Sequence, residues 1–258
     1  MLIAERRRRM LAHVRDHGYV SFRDLAVALG ISESTVRRDL RSMVSDGLLT
    51  PTRGGVGPRH GSPPARTAPQ ADAQNGADPI AAAREAIAEY AATLVTEGSA
   101  VLLGPGRTTT ALARHLAGLA QLTVVTNSIS VTGALLDAPQ IDVVLIGGAL
   151  RRSIGAAVGP IAEAALTGLR GAQVFLSGDG VTAERGLTTP NVFAAATDQA
   201  LMAAGGQVVV LADHRKLGHD TMCQTVPAER IDVLVTDRGA DDEMLDRLRA
   251  ADVDVHVA

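Results

Sequence analysis

The sequence predicts an α/β protein in two parts: an N-terminal winged helix-turn-helix, followed by a doubly wound, mostly parallel α/β domain. Three observations lead there. Between residues 20 and 56, two short helical stripes joined at a glycine precede two short extended segments. From Ile80 onward, short apolar runs alternate with helical stretches, the pattern of strands linked by crossover helices. The core must also be aliphatic, because 46% of residues are hydrophobic while aromatics make up 2% and Trp is absent. Such composition suits strands of Val, Leu, Ile and Ala buried on both faces.

Taken in order, the first helix is predicted over residues 3–17, with Ile3, Met10, Leu11 and Val14 facing inward and a basic run, Arg6–Arg9, available to a phosphate backbone. Ser21-x-x-Asp24 reads as a capping box, and Phe22, Leu25, Ala26 and Leu29 form an apolar stripe behind it. Gly30 supplies the left-handed turn that ends this helix. Ser32 then caps a second helix whose apolar stripe is Val36, Leu40, Met43 and Val44. Its opposite face carries Ser34, Arg38, Arg41 and Ser45, with Thr35 in the first turn and Arg37 on the border. Arginines and hydroxyls at the start of the second of two helices suit insertion into a DNA major groove. Residues 46–56 read as a wing, a β-hairpin in which Arg53 is the candidate phosphate contact.

Charge is divided in the same way. Residues 1–60 hold 11 Arg against 6 acids, whereas the rest holds 14 Lys and Arg against 22 acids. A basic head on an acidic body points to a polyanionic partner for the head alone. The single cysteine, Cys223, excludes an internal disulfide and a thiolate cluster. No apolar run approaches the ~18 residues of a membrane span, so a cytoplasmic protein is expected. The histidines and acids show no metal-ligand spacing, and neither metal nor cofactor is predicted.

Residues 57–79 are dominated by Pro, Gly, Ala and polar types with no apolar periodicity, and are predicted to form a flexible linker between domains 1–56 and 80–258. A helix follows over residues 80–96. Strands are predicted at 99–103, 122–126, 142–146, 173–177, 207–212, 232–236 and 253–257, with helices near 108–118, 128–137, 160–168, 192–204 and 241–250.

In a doubly wound sheet, ligands bind beyond the carboxyl ends of the strands. Small or polar residues recur there: Gly104-Pro105-Gly106-Arg107-Thr108-Thr109-Thr110, Thr126-Asn127-Ser128, Gly147-Gly148, Gly178-Asp179-Gly180 and Asp213 through Lys216 to Gly218. The first of these joins a strand to a helix start, where free amides and a partial positive charge favour an anion. The candidate effector residues are therefore Gly106, Arg107, Thr108, Thr109, Thr126, Asn127, Ser128, Gly147, Gly148 and Lys216.

Two sets of motifs resemble the DeoR family of bacterial transcriptional regulators. In the head these are Val36-Arg37-Arg38-Asp39-Leu40, Gly47-Leu48 and Arg53-Gly54-Gly55, with Arg53 where the family usually has His and Pro51 where it often has Arg. In the body they are Gly104–Thr109, Thr126-Asn127-Ser128, Gly147-Gly148 with Gly159-Pro160, Phe175-Leu176, Gly186-Leu187-Thr188, Asp213-x-x-Lys216-x-Gly218 and Thr236-Asp237. The body departs by placing Gly104 for the family's Asp, Arg107 for its first Thr, and Ala194 and Asp198 where Glu and Lys are frequent. The resemblance implies a sensor domain with the fold of ribose-phosphate isomerases and CoA transferases. It also implies a repressor that meets an operator through Ser32, Ser34, Thr35, Arg37, Arg38, Arg41 and Arg53, works as a homo-oligomer, and responds to a small phosphorylated sugar. Two alternatives stand beside it. One is a sugar-phosphate isomerase or deaminase, for which Asp179, Glu184, Asp198 and Asp213 are available acids. The other is a regulator whose second domain only oligomerises.

Overall fold

The computed structural model describes residues 6–7, 9–11, 13–14, 20–45, 49–52, 55–58, 80–119 and 121–258. The chain divides into two compact units, Met1–Gln74 and Asn75–Ala258. Arg53 and residues 59–79, most of the predicted linker, lie outside the described residues.

In the first unit, the described residues from 6 to 14 are helical and bury Met10 and Val14 completely. Strand β1 (Val20–Ser21) leads into α1 (Phe22–Leu29), and α2 (Glu33–Ser45) follows the turn at Gly30, whose φ is +63°. The capping box is present: the Asp24 amide donates to Ser21 Oγ at 3.1 Å, and Ser21 Oγ donates to Asp24 Oδ2 at 2.7 Å. Val36, Leu40 and Met43 of α2 pack with Leu25 of α1 and with Met10 and Val14. The wing is β2 (Leu49–Thr52) paired antiparallel with β3 (Gly55–Pro58). Strand β3 takes in Gly57 and Pro58, two residues that composition assigns to the linker. Beyond the predicted hairpin, β1 adds a third strand to the wing by pairing Val20 with Val56, which closes the sheet over the helices.

The second unit begins with α3 (Ala81–Thr93) and is built on seven parallel strands: β4 (Ala100–Leu103), β5 (Leu122–Thr126), β6 (Ile141–Leu145), β9 (Gly171–Leu176), β12 (Gly205–Leu211), β14 (Val233–Thr236) and β15 (Asp254–Val257). Every one of the seven predicted strands enters this sheet. Their order is β15-β14-β12-β9-β4-β5-β6, so the chain runs outward from β4 in one direction and resumes at β9 on its other side. The sheet is doubly wound, with its switch point between β4 and β9.

Alternation explains why these strands read as unbroken apolar runs. Val101, Leu103, Val124, Phe175, Val209 and Val235 point to one layer, shared with Ile87 and Ala91 of α3, Leu112 and Leu116 of α4 (Arg107–Leu116), and Val131 and Leu135 of α5 (Ile129–Leu135). Their neighbours Leu102, Val125, Val174, Leu176, Val210 and Leu234 point to the other layer. There they meet Ala162 and Leu166 of α6 (Pro160–Leu166), Leu201 and Ala204 of α7 (Val192–Ala204), and Leu248 of α8 (Asp242–Arg249). Side chains two residues apart share a face, so covering both faces makes every position apolar.

Five short strands are additional to the prediction. β7 (Ala149–Arg151) and β8 (Ala156–Val158) form a hairpin after β6. β10 (Gly180–Thr182), β11 (Gly186–Thr189) and β13 (Cys223–Val226) form a separate antiparallel sheet after β9, and Val181, Leu187 and Val226 extend the second layer.

Candidate functional site

In the first unit, the candidate surface is the start and outer face of α2. Ser32 caps the helix, accepting from the Thr35 amide at 3.3 Å, and its Oγ lies 3.0 Å from Ser34 Oγ and 2.8 Å from Thr35 Oγ1. Ser32, Ser34, Arg37, Arg38 and Arg41 are exposed, and Thr35 is half-buried. The arginines differ. Arg37 donates to Glu33 Oε1 from Nε at 3.0 Å and from Nη2 at 2.5 Å, and its guanidinium lies 4.8 Å from the centre of the Phe22 ring. Among the described residues, Arg38 and Arg41 make no comparable contact. Asp39 faces inward, where its Oδ2 accepts from Arg6 Nε at 2.6 Å, while Arg7 Nη2 donates to Ser42 Oγ at 2.9 Å. Arg6 and Arg7 thus clamp the first helix to α2 and do not stand as a free basic ridge. A buried carboxylate on α2 demands a cation, and Arg6 supplies it.

In the second unit, parallel pairing brings every predicted strand-end cluster to one edge of the sheet. Gly104 ends β4, and its amide donates to Phe175 O of β9 at 3.0 Å across the switch point. Helix α4 starts directly above, with Gly106 O receiving Thr109 Oγ1 at 3.1 Å and Thr110 Oγ1 at 2.6 Å. Thr108 is 1% exposed, yet its Oγ1 has no hydrogen-bond partner. Arg107 is exposed. Lys216 reaches in from the loop after β12, its Nζ donating to Ser177 Oγ at 3.0 Å, just beyond β9. Burial pulls the Lys216 ammonium below its ordinary range, against the opposing pull of Asp213 and Asp179.

The remaining candidates are held by the fold. Thr126 Oγ1 donates to Leu103 O at 2.7 Å and accepts from the Ser128 amide at 3.1 Å, while Ser128 Oγ caps α5 by accepting from Val131 N at 3.3 Å. Asn127 Nδ2 donates to Ala157 O of the β7–β8 hairpin at 2.8 Å, and its Oδ1 has no hydrogen-bond partner. Gly147 and Gly148 are exposed, and a Cβ on Gly148 would stand 3.0 Å from Val158 O, so this glycine admits the hairpin backbone. Among the predicted residues, Gly106, Thr108 and Lys216 converge on the switch point, whereas Thr126–Ser128 and Gly147–Gly148 line the adjoining strand ends.

Two further residues join the switch point. Ser177 is the hydroxyl that meets Lys216, and nothing in its neighbourhood of sequence marks it. Asp198 comes from α7, is 5% exposed, and faces Gly104: its Oδ1 lies 3.9 Å from where a Gly104 Cβ would be. Burial and then the charge of Asp179 push its carboxyl up to about 8. Asp237, at the end of β14, behaves in the opposite way. Burial raises it, but the His214 amide at 2.7 Å, the His214 ring at 2.8 Å and the Gly239 amide at 3.0 Å outweigh that and hold it below the usual carboxylate range.

Buried polar groups in folded proteins almost always find a partner. Along this one edge, Thr108 Oγ1, Asn127 Oδ1, Asp198 Oδ1, Asp213 Oδ1 and Thr236 Oγ1 have no hydrogen bond, although Arg215 Nε lies 3.6 Å from the Asp213 oxygen.

Comparison with known proteins agrees with this division of the molecule. Residues 6–60 match the model of the DeoR-like helix-turn-helix domain, and residues 81–238 match that of the DeoR C terminal sensor domain. The chain is 34% identical to the HTH-type transcriptional regulator GlpR of Haloferax volcanii, across 99% of this chain and 98% of that protein. It is 31% identical to the HTH-type transcriptional regulator YgbI of Escherichia coli K12, across 100% of this chain and 99% of that protein. A ribose 5-phosphate isomerase A from Neisseria gonorrhoeae superposes on 52% of either chain at 18% identity with a TM-score of 0.39, a likeness too slight to build on. The full-length relatives are transcriptional regulators and not enzymes. The chain belongs to the DeoR family of DNA-binding transcriptional regulators, with a DeoR helix-turn-helix head and a DeoR C-terminal sensor domain.

Proposed function

We propose that the protein is a repressor whose grip on a DNA operator is weakened by a small phosphorylated sugar bound at the switch point of the sensor sheet. The observation that carries this is the row of buried oxygens without a hydrogen bond at the carboxyl edge, beside a helix start and a buried lysine. A phosphate fits the α4 end of the row: the first amides of the helix, Thr108 Oγ1 and the Lys216 ammonium all donate. Sugar hydroxyls supply donors to the oxygens that remain. On the head, Ser34, Arg38 and Arg41 face a major groove from α2, with Arg37 held in place by Glu33 and Phe22.

Operators with paired half-sites call for a second copy of the chain. Exposed apolar side chains around the β7–β8 hairpin, Leu150, Ile161 and Phe193, favour such self-association.

An effector shifts DNA affinity only through unequal binding to the DNA-competent and DNA-incompetent arrangements. A hundredfold difference, about 2.7 kcal/mol, is enough for a switch. The test is calorimetry with a panel of sugar phosphates beside operator binding for the wild type, Thr108→Ala and Lys216→Ala. Both variants should lose the response and keep operator affinity without ligand. Unchanged sugar-phosphate affinity in both would move the site elsewhere.

A further inference from the structure

A phosphate accounts for the α4 amides, Thr108 and Lys216, but leaves the acids beside them without a role. Asp198 is buried on α7 and turned toward the end of β4, with Oδ1 accepting from no group. Across from it Asp179 follows β9, its Oδ2 accepting from Thr189 Oγ1 at 2.9 Å. Asp213, just beyond β12, has its Oδ1 buried without a hydrogen bond, with Arg215 Nε 3.6 Å away. Lys216, tied to Ser177, feels both Asp213 and Asp179. The crevice therefore has two ends, a cationic one at the α4 start and an acidic one under α7.

We propose that Asp198 is the specificity-determining residue of this crevice and takes an amino group of the ligand, so that the effector carries an anion at one end and an amine at the other, as an amino-sugar phosphate does. The inference rests on the phosphate assignment made above. A primary ammonium brings three N–H donors and a positive charge. It gives Asp198 Oδ1 a partner, and its charge favours the ionised carboxylate, which burial and then the charge of Asp179 otherwise hold protonated to about pH 8. A hydroxyl brings one donor and no charge, and does nothing to ionise the carboxyl. No group of three or more His, Cys, Asp or Glu placed to hold a metal ion occurs among the described residues. The end of β4 passes close to this acid: a Cβ on Gly104 would stand 3.9 Å from Asp198 Oδ1 and 2.6 Å from Leu176 Cδ2.

The test is calorimetry on the full chain with two matched pairs of probes: glucose 6-phosphate against glucosamine 6-phosphate, and galactose 6-phosphate against galactosamine 6-phosphate. Wild type should favour the amino member of at least one pair by about tenfold or more, as a charge-assisted hydrogen bond implies. Asp198→Asn, close in shape to the protonated acid, should cut that preference to within about threefold. Asp198→Ser, smaller and also uncharged, should do the same and serves if the Asn protein is unstable. Equal affinity within both pairs for wild type, or a preference that survives in both variants, overturns the role of Asp198 while the phosphate site stands. Failure of wild type to bind any of the four compounds overturns the phosphate assignment and this inference with it.

Discussion

Arg37 and Arg38 are neighbours in sequence and differ in what they have left to give. Arg37 is bonded to Glu33 and stacked over Phe22, whereas Arg38 points outward without such a contact among the described residues. An arginine that reads a guanine edge is worth roughly 1–3 kcal/mol of specific binding. Arg38→Ala is therefore expected to lower operator affinity by that amount and to lower nonspecific affinity less. Arg37→Ala is expected to weaken all DNA more evenly and to reduce the salt slope by about one unit, the behaviour of a phosphate contact. Competition binding at two salt concentrations separates the two, and an intact operator affinity in Arg38→Ala would misplace the recognition face. Asp198 supports a second prediction. Its carboxyl stands near 8 in the fold against 3.8 for a free aspartate, so the folded state holds a proton that the unfolded chain releases between those values. Its contribution to stability is full below about pH 4 and is lost as pH rises to about 8, with a slope of at most about 1.4 kcal/mol per pH unit. Asp237 acts below this window, because its lowered value removes stability only as pH falls through the acid range. Asp198→Asn should therefore melt above wild type at pH 8, with the gap closing toward pH 4. A constant gap would mean that Asp198 is not held protonated.

At the level of elements, the small sheet β10-β11-β13 depends on Gly186. Its φ is +71°, and a Cβ there would stand 2.2 Å from Val226 O and 2.6 Å from the Ala228 amide nitrogen, both backbone atoms unable to swing aside. Gly186→Ala is predicted to cost about 1–2 kcal/mol from the left-handed backbone alone, and more from the collision. A urea midpoint equal to wild type would show that the turn can rearrange freely. This sheet also marks where sequence loses legibility. The seven parallel strands are readable because both of their faces are covered and each run stays apolar long enough to register. β10 and β11 span three and four residues with Gly and Thr among them, and their pairing is set by a distant strand, β13, which no local pattern announces. The candidate site divides in the same way. Gly106 and Thr108 are legible because a strand-to-helix junction has its own signature. Asp198 sits mid-helix, and its role depends on α7 lying across β4 and β9, a relation created only by packing. Thr126 and Ser128 look alike in sequence to Thr108, yet their hydroxyls hold β4 and cap α5.

At the scale of the whole molecule, each unit has its own core: Met10, Leu25, Leu40 and Met43 in the head, and two layers around the seven-stranded sheet in the sensor. A domain with its own core can fold alone, so residues 80–258 expressed separately should bind the effector as the unliganded full chain does. Binding alone releases nothing. Release requires that effector and operator compete through the equilibrium between arrangements, and linkage makes that competition reciprocal. Whatever factor the effector takes from operator affinity, saturating operator must take from effector affinity; a hundredfold change one way demands a hundredfold change, about 2.7 kcal/mol, the other way. Calorimetric titration of the effector into full-length protein, with and without operator duplex, measures that factor directly against the shift in a DNA-binding isotherm. The isolated sensor is the control, since added duplex should leave its effector affinity unchanged. Release of DNA with no change in effector affinity on the full chain would exclude a linked equilibrium. Loss of effector affinity in the isolated sensor would place part of the pocket in the head.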